Sequence, residues 1–340
     1  MRYLCPKLIE YLSMIKIGLL GVGHLGTIHL RLLKELSDVY ELVGIYDVDH
    51  ERALAKAEEF GVKAWENMDE LIDAVDAVDI VTPTLQHYAC AKAAMKKFKH
   101  VFIEKPVTHT LEEARSLMNL AREAGVKVQV GHVERYNPAF LAVRDMDLAP
   151  MFIEGHRLAQ WNPRGTDVSV VLDLMIHDLD IVLSSVKSTI KRISASGVAV
   201  VSDSPDIANA RIEFNNGAVA NLTASRISLK NMRKMRFFQK DTYLAVDFLN
   251  KKTEIVNIND GEAPAELGDD AVGFEAGERK RHLTFNFPEI GPVNSIKEEL
   301  AEFGAAIRDN TDTQVTLEEA TAALDAAYQI MEKINGLAYA

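Results

Sequence analysis

Ile15-Lys16-Ile17-Gly18-Leu19-Leu20-Gly21-Val22-Gly23-His24-Leu25-Gly26 is the stretch whose reading decides the fold. Ile15 to Leu20 is a short apolar run that ends at a glycine, as a buried parallel strand does. Gly21, Gly23 and Gly26 then spell G-x-G-x-x-G. Alone, such a hexapeptide arises often by chance. Here it follows a strand and opens a helix over His24 to Ser37, inside the first strand-helix-strand unit, which is the context that gives it meaning. The first glycine permits a tight turn, the second lets backbone N–H groups approach a pyrophosphate, and the third allows the helix to pack closely on the strand. The helix start, at His24 and Leu25, adds favourable partial charge for an anion.

The second strand, Glu41 to Tyr46, ends at Asp47, about twenty residues past the last glycine. A carboxylate there accepts hydrogen bonds from ribose hydroxyls and repels a 2′-phosphate, so NAD is expected rather than NADP. The plain alternative is a structural glycine turn followed by a surface aspartate.

Working outward, strands and helices keep alternating. Helices are predicted over Asp49 to Phe60, Asn67 to Val75 and Leu85 to Lys97, with strands at Val78 to Val81, Val101 to Glu104 and Lys127 to Val130. Thr110 and Glu113 form a capping box ahead of a further helix. Such alternation implies right-handed crossovers and a doubly wound parallel sheet, an α/β Rossmann domain. The pattern changes after Asn137-Pro138. Strand candidates follow at Met151 to Ala159, Ile190 to Val201, Ala208 to Phe214, Ala218 to Ser225, Met232 to Gln239 and Tyr243 to Leu249, with a helix over Ser169 to Ser185. Asn216-Gly217 is a two-residue turn signal. This half is expected to be an α+β domain with a large, mostly antiparallel sheet. Residues 259 to 281, rich in Gly, Asp and Glu, read as a mobile loop. Two helices close the chain, with Ser295/Glu298 and Thr316/Glu319 as capping boxes and Asn335-Gly336 as the stop.

The 340 residues exceed one comfortable core, so two domains are expected, 14–134 and 135–340, with 1–13 as a short N-terminal extension. A net charge of −12 argues against a nucleic-acid partner, which needs a basic face. Cys5 and Cys90 are too few for a disulfide framework, and no apolar run is long enough to span a bilayer. Residues 1–13 lack a small-residue cleavage site, so a cytoplasmic protein is expected.

Chemistry is sought at the carboxyl ends of the parallel strands, where open α/β sheets bind ligands. Glu104-Lys105-Pro106 stands at one such end, and a lysine there can stabilise charge on an oxygen that loses or gains a proton. Thr82, Pro83 and His87 follow another strand end, beside the expected nicotinamide. His132 follows a third. Either histidine reads as a ligand contact or as a capping or packing group. In Asp173-Leu174-Met175-Ile176-His177-Asp178-Leu179-Asp180, a helix would place Asp173, His177 and Asp180 at i, i+4 and i+7 along one line. A carboxylate beside an imidazole orients it and raises its pKa, which suits a general base for a hydroxyl. A histidine and aspartates at this spacing are also compatible with zinc, but a hydride acceptor already supplies the electrophile, so no metal is expected.

Taken in order, GVGHLG, Asp47, TPTLQHY, EKPVTHT, GHVERYNP and DLMIHDLD resemble the glucose-fructose oxidoreductase / inositol dehydrogenase / MocA family over residues 14 to 340. The resemblance implies a Rossmann domain joined to a large-sheet domain whose outer face makes homodimers or homotetramers. It also implies that Lys105, of the Glu-Lys-Pro motif, contacts substrate and nicotinamide, and that Asp173 and His177 match an Asp-x-Gly-x-His motif with His177 as acid/base. Met175 departs from that motif's glycine, and is expected to reshape the pocket. Within the family, the DLMIHDLD form with Arg157, Trp161 and Arg164 is similar to the UDP-N-acetylglucosamine 3-dehydrogenase subgroup. Arg135, Arg157 and Arg164 are then candidates to pair with a diphosphate, since guanidinium forks match phosphate oxygens, or are ordinary surface or interface arginines. The expected activity is NAD-dependent oxidation of a sugar secondary hydroxyl. The alternatives are a dehydrogenase of free polyols or sugars, an NADP-dependent reductase, and a cofactor-binding regulator without catalysis.

Overall fold

A computed structural model describes residues 14–162, 168–264, 266–267 and 271–337. The chain divides into two compact units. The first runs to Val133 and takes in Asn294–Ala322, and the second comprises Glu134–Val293 with the chain from Ala323.

The first unit alternates β1 (Ile15–Leu20), α1 (His24–Glu35), β2 (Tyr40–Tyr46), α2 (His50–Phe60), α3 (Met68–Asp73), β3 (Ala77–Ile80), α4 (Thr84–Lys96), β4 (His100–Glu104), α5 (Leu111–Ala124) and β5 (Val128–Gly131). Its five strands pair in parallel in the order β2-β1-β3-β4-β5. From β1 the chain therefore winds first to one side and then to the other, which places the topological switch at the carboxyl end of β1. Helix starts are fixed by side chains that satisfy orphan N–H groups. Asp49 accepts from the Arg52 amide, Asn67 from Asp69 and Glu70, and Thr110 and Glu113 close a reciprocal capping box.

The chain returns to this unit near its end. Helix α8 (Ser295–Asp309) buries Leu300 and Phe303 in the same core as Leu30 and Phe102, and its Glu299 carbonyl accepts from the Gln129 side chain. Assigning everything after residue 135 to the second unit is thus corrected. An amphipathic helix does not announce which core receives its apolar face.

The second unit contains α6 (Pro138–Arg144), β6 (Phe152–Leu158), a wide π turn (Val171–Met175), α7 (Ile176–Ser185), and β7 (Ile190–Val198), β8 (Ile207–Phe214), β9 (Val219–Ser225), β10 (Met232–Gln239), β11 (Thr242–Asp247), β12 (Lys252–Asp260), β13 (Ala271–Ala276) and β14 (Arg279–Asn286). Helix α9 (Leu317–Leu337) begins in the first unit and continues in the second. Among the described residues one nine-stranded sheet runs β13-β14-β12-β11-β10-β6-β9-β8-β7, antiparallel except where β6 meets β9. Alternation decides the faces. Ala208, Ala210, Ile212 and Phe214 of β8 are buried in one core with Leu179 and Val182 of α7. Asn216-Gly217 makes the expected turn, with Gly217 at φ 88°.

Three local expectations are corrected. Residues 259 to 281 are not one loop, because β12 runs to Asp260 and Ala271–Ala276 pairs as β13 with β14, which starts at Arg279. β13 is an edge strand with mostly exposed side chains, so its pairing leaves no apolar alternation to read. The cap of α8 is Asn294, whose side chain accepts from the Lys297 amide, one residue before Ser295. Asn335-Gly336 does not stop α9, which continues to Leu337.

Candidate active site

A cleft of about 730 Å³ lies in the first unit, lined by the loops that follow its strands. Gly21, Gly23, His24, Leu25, Gly26, Asp47, Thr82, Pro83, His87, Glu104 and Lys105 all line it, so every residue read from sequence as cofactor-binding lies on one surface. The glycines answer two different demands. Gly21 sits at φ 92°, and an added Cβ would lie 2.7 Å from the Val81 carbonyl; at Gly26 it would lie 2.0 Å from the Gly21 carbonyl. Those two are required by the chain itself. A Cβ on Gly23 would meet nothing within 4 Å. Gly23 is also the N-cap of α1, and its helix start carries no side-chain cap. An open glycine before uncapped N–H groups fits a pyrophosphate that must approach the backbone closely.

Asp47 is built into this loop rather than simply exposed beside it. Its carboxylate accepts from Val22 N at 2.8 Å and Asp49 N at 2.9 Å, and Arg52 meets it with Nη2 at 2.7 Å and Nε at 3.2 Å. Burial pushes the carboxyl up, but Arg52 and the two amides outweigh that and hold it below its ordinary value. Sequence reading missed Arg52, which also lines the cleft. Its signal was present: a guanidinium five residues past the strand-end aspartate, on the first turn of the next helix. His87 lines the cleft too, but its ring nitrogens face the Pro106 carbonyl at 2.9 Å and the Thr82 carbonyl at 2.8 Å. The ring thus ties the loop after β3 to the loop after β4, and burial holds its pKa below the usual histidine value.

In the second unit, Asp173 lies in the π turn and His177 in the first turn of α7, both half-buried. A π turn takes more residues per revolution than an α turn, so positions before and after it lose the phase that the i, i+4, i+7 line assumed. The phase changes between Asp173, inside the turn, and His177 and Asp180, which share α7 after it; Asp180 is buried against Arg135, at 2.7 and 2.9 Å. Met175, at the glycine position of that motif, has its side chain fully buried in the hydrophobic core.

The diphosphate expectation for two arginines is also corrected. Arg157, 3% exposed, binds Asp178 at 2.8 and 3.0 Å and Glu134 at 2.8 Å. Arg135, 5% exposed, holds Asp180. Carboxylates of the same unit take up both guanidinium forks. Arg164 lies outside the described residues. His132, in the first unit, is buried and does not line the cleft.

A parallel sheet with an open glycine loop, an uncapped helix start and a strand-end aspartate defines an NAD-binding oxidoreductase fold. Residues 15–132 match the oxidoreductase family described as having an NAD-binding Rossmann fold, and residues 145–240 match the GFO/IDH/MocA C-terminal domain. The chain belongs to the GFO/IDH/MocA oxidoreductase family. It is 42% identical over 258 residues to the UDP-N-acetylglucosamine 3-dehydrogenase of Acidithiobacillus ferrooxidans, covering 75% of this chain and 82% of that one. It is 32% identical to the NAD-dependent scyllo-inositol 2-dehydrogenase of Bacillus subtilis, covering 63% of this chain and 68% of that one. A solved structure of the Acidithiobacillus ferrooxidans enzyme superposes with a TM-score of 0.84 at 34% identity, covering 95% of this chain and 99% of that one. The protein is a dehydrogenase acting on CH–OH donors.

Proposed function

We propose that this enzyme oxidises a secondary hydroxyl of a sugar, the C3 hydroxyl of UDP-N-acetylglucosamine, to the ketone with NAD as acceptor. The observation that carries the reading is the 42% identity to a UDP-N-acetylglucosamine 3-dehydrogenase over three quarters of the chain, with Lys105, Asp173 and His177 all present. The glycine loop and Asp47 fit the cofactor, and the ionised Asp47 favours NAD over NADP. When bound, NAD supplies the hydride acceptor. His177 takes the hydroxyl proton, Asp173 orients its ring, and Lys105 stabilises the alkoxide oxygen as that proton leaves.

Purified protein with NAD and UDP-N-acetylglucosamine should form NADH, while myo-inositol and glucose should not support turnover. Lys105→Ala or His177→Ala should lower kcat by about 10²–10³-fold, the range for losing one group that meets transition-state charge, with NAD affinity nearly unchanged. Wild-type turnover in both variants would sink the assignment. A second reading, a dehydrogenase of free polyols, is favoured by one observation. Arg135 and Arg157 are already paired with internal carboxylates, which removes two of the three arginines read as diphosphate partners. Activity on myo-inositol alone would select it. Assembly through the large sheet is proposed on its exposed apolar positions, among them Met232, Phe238 and Phe274.

A further inference from the structure

Beneath the cleft, the core of the first unit holds four buried titratable side chains on four different elements: His29 on α1, Asp79 on β3, Glu104 on β4 and Glu299 on α8. A core made for stability alone would not collect three carboxylates around one imidazole, since each buried charge costs free energy unless paired. Their geometry has a direction. His29 Nδ1 meets Asp79 Oδ2 at 2.9 Å, and its Nε2 stands 3.3 Å from Glu104 Oε1. The other oxygen of Glu104, Oε2, accepts the backbone N–H of Lys105 at 3.1 Å. Gly131 on β5 completes the arrangement: a Cβ there would lie 2.7 Å from Glu104 Oε1, so only glycine leaves the carboxylate its place.

We infer that His29 is a positioning residue for Lys105, acting through Glu104: Asp79 fixes the imidazole, the imidazole fixes the carboxylate, and the carboxylate fixes the Lys105 backbone. The inference rests on the role proposed above for Lys105. Burial by itself would push His29 down. Asp79 and Glu104 outweigh that and raise it well above the ordinary histidine value, which favours the protonated ring, hydrogen-bonded to Asp79 and 3.3 Å from Glu104. Glu299, facing the same cluster from α8, is pushed well above its ordinary value by burial and then by Glu104. Tyr40 on β2 adds a phenol that burial keeps protonated and that donates to the Leu300 carbonyl. Without the imidazolium, Glu104 loses its cation while Asp79 stays close, and the carboxylate has no reason to remain aimed at Lys105 N.

The test uses the full chain with NAD and separates positioning from stability. His29→Asn should lower the melting temperature, speed amide hydrogen exchange at Lys105 at least about tenfold, and lower kcat by about 10²-fold, the usual cost of misplacing a reacting group by an ångström, with KM for NAD near wild type. His29→Asn/Asp79→Asn removes both buried charges of the pair and should recover the melting temperature, yet keep fast exchange at Lys105 and low kcat. Gly131→Ala alters no charge and should give the same two signatures by displacing Glu104. Turnover is read with UDP-N-acetylglucosamine and with myo-inositol. A double variant that regains turnover and Lys105 protection together with stability would overturn the inference, as would an unaltered Gly131→Ala enzyme. Lys105→Ala run alongside tells the two readings apart. If it turns over normally, the underlying role of Lys105 falls and this inference with it. If it is inactive beside a fully active double variant, this inference alone falls.

Discussion

In the second unit, Arg157 and Arg135 meet Glu134, Asp178 and Asp180 over 2.7 to 3.0 Å, two guanidinium forks against three carboxylates. In the first unit a single imidazole stands against Asp79 and Glu104, with Glu299 close by. Guanidinium forks are planar, permanently charged and bidentate, so the Arg cluster is a fixed brace across β6, α7 and the segment before α6. Imidazole charge is conditional, and the His29 cluster ends on a backbone amide beside the cofactor cleft. Buried charge therefore reads as architecture where every carboxylate is met by a guanidinium, Arg233 standing 3.6 Å from Glu134 as the third, and the cluster is closed. It reads as preparation for chemistry where it is carboxylate-rich and opens towards a ligand loop.

The sharpest break of that contrast is Arg157→Met. Removing one partner strands Asp178 and Glu134 in the core, so unfolding of the second unit in urea should come earlier by about 3–5 kcal/mol. A loss below about 1 kcal/mol would mean that the brace is not structural, and would return Arg157 to the ligand candidates. The cleft glycines offer a contrast inside the first unit. Gly26→Ala drives a Cβ against the Gly21 carbonyl and should cost about 1–3 kcal/mol of stability, as overpacking does. Gly23→Ala meets no neighbour, so its stability should change by less than about 1 kcal/mol while NAD binding weakens at least about tenfold. Equal effects on stability would erase the distinction between glycines needed by the chain and a glycine needed by the cofactor.

Acidity sharpens the comparison from another side. His29 has its pKa raised in the folded chain, so its stabilisation is complete below the unfolded histidine value and is lost as pH rises through the folded one. Melting temperature measured from neutral to alkaline pH should fall more steeply for the native chain than for His29→Asn/Asp79→Asn. Arg157 is pushed further up from an already high value, against the pull of burial, by Asp178 and Glu134, so its brace adds no slope in that range. Parallel curves for the two proteins would mean that the imidazole carries no charge in the folded state.

What could be read in advance follows the same division. The first unit was legible because its backbone imposes residue types: a positive φ at Gly21, a close approach at Gly26 and a capping box at Thr110 each leave a mark at fixed spacing. The destinations of side chains were not. Asp180, Arg135 and Arg157 carry the residue types of a site, yet they close on one another or on Glu134 and Asp178 inside the second unit, and Asp173 of the three-residue line sits in a wide turn at Val171–Met175. Nothing in the one-dimensional pattern marks a π turn, because its cost and benefit lie in packing. The same holds for α8, whose apolar face was plain while its receiving core was not.

The smallest test concerns where that helix starts. Ser295 and Glu298 carry the letters of a capping box, and Asn294, one residue earlier, carries the bond. An N-cap residue needs an extended backbone so that its side chain can turn back on the first free N–H groups. Asn294 has φ −92° and ψ 105°, whereas Ser295 is already inside the helix. Asn294→Ala should therefore cost about 1 kcal/mol, and Ser295→Ala no more than a few tenths. Because α8 packs in the first unit, the loss should appear in the transition that releases NAD and leave the Arg157 brace untouched. Were Ser295→Ala the costlier change, the helix would begin one residue later, and the amide of Lys297 would need another acceptor.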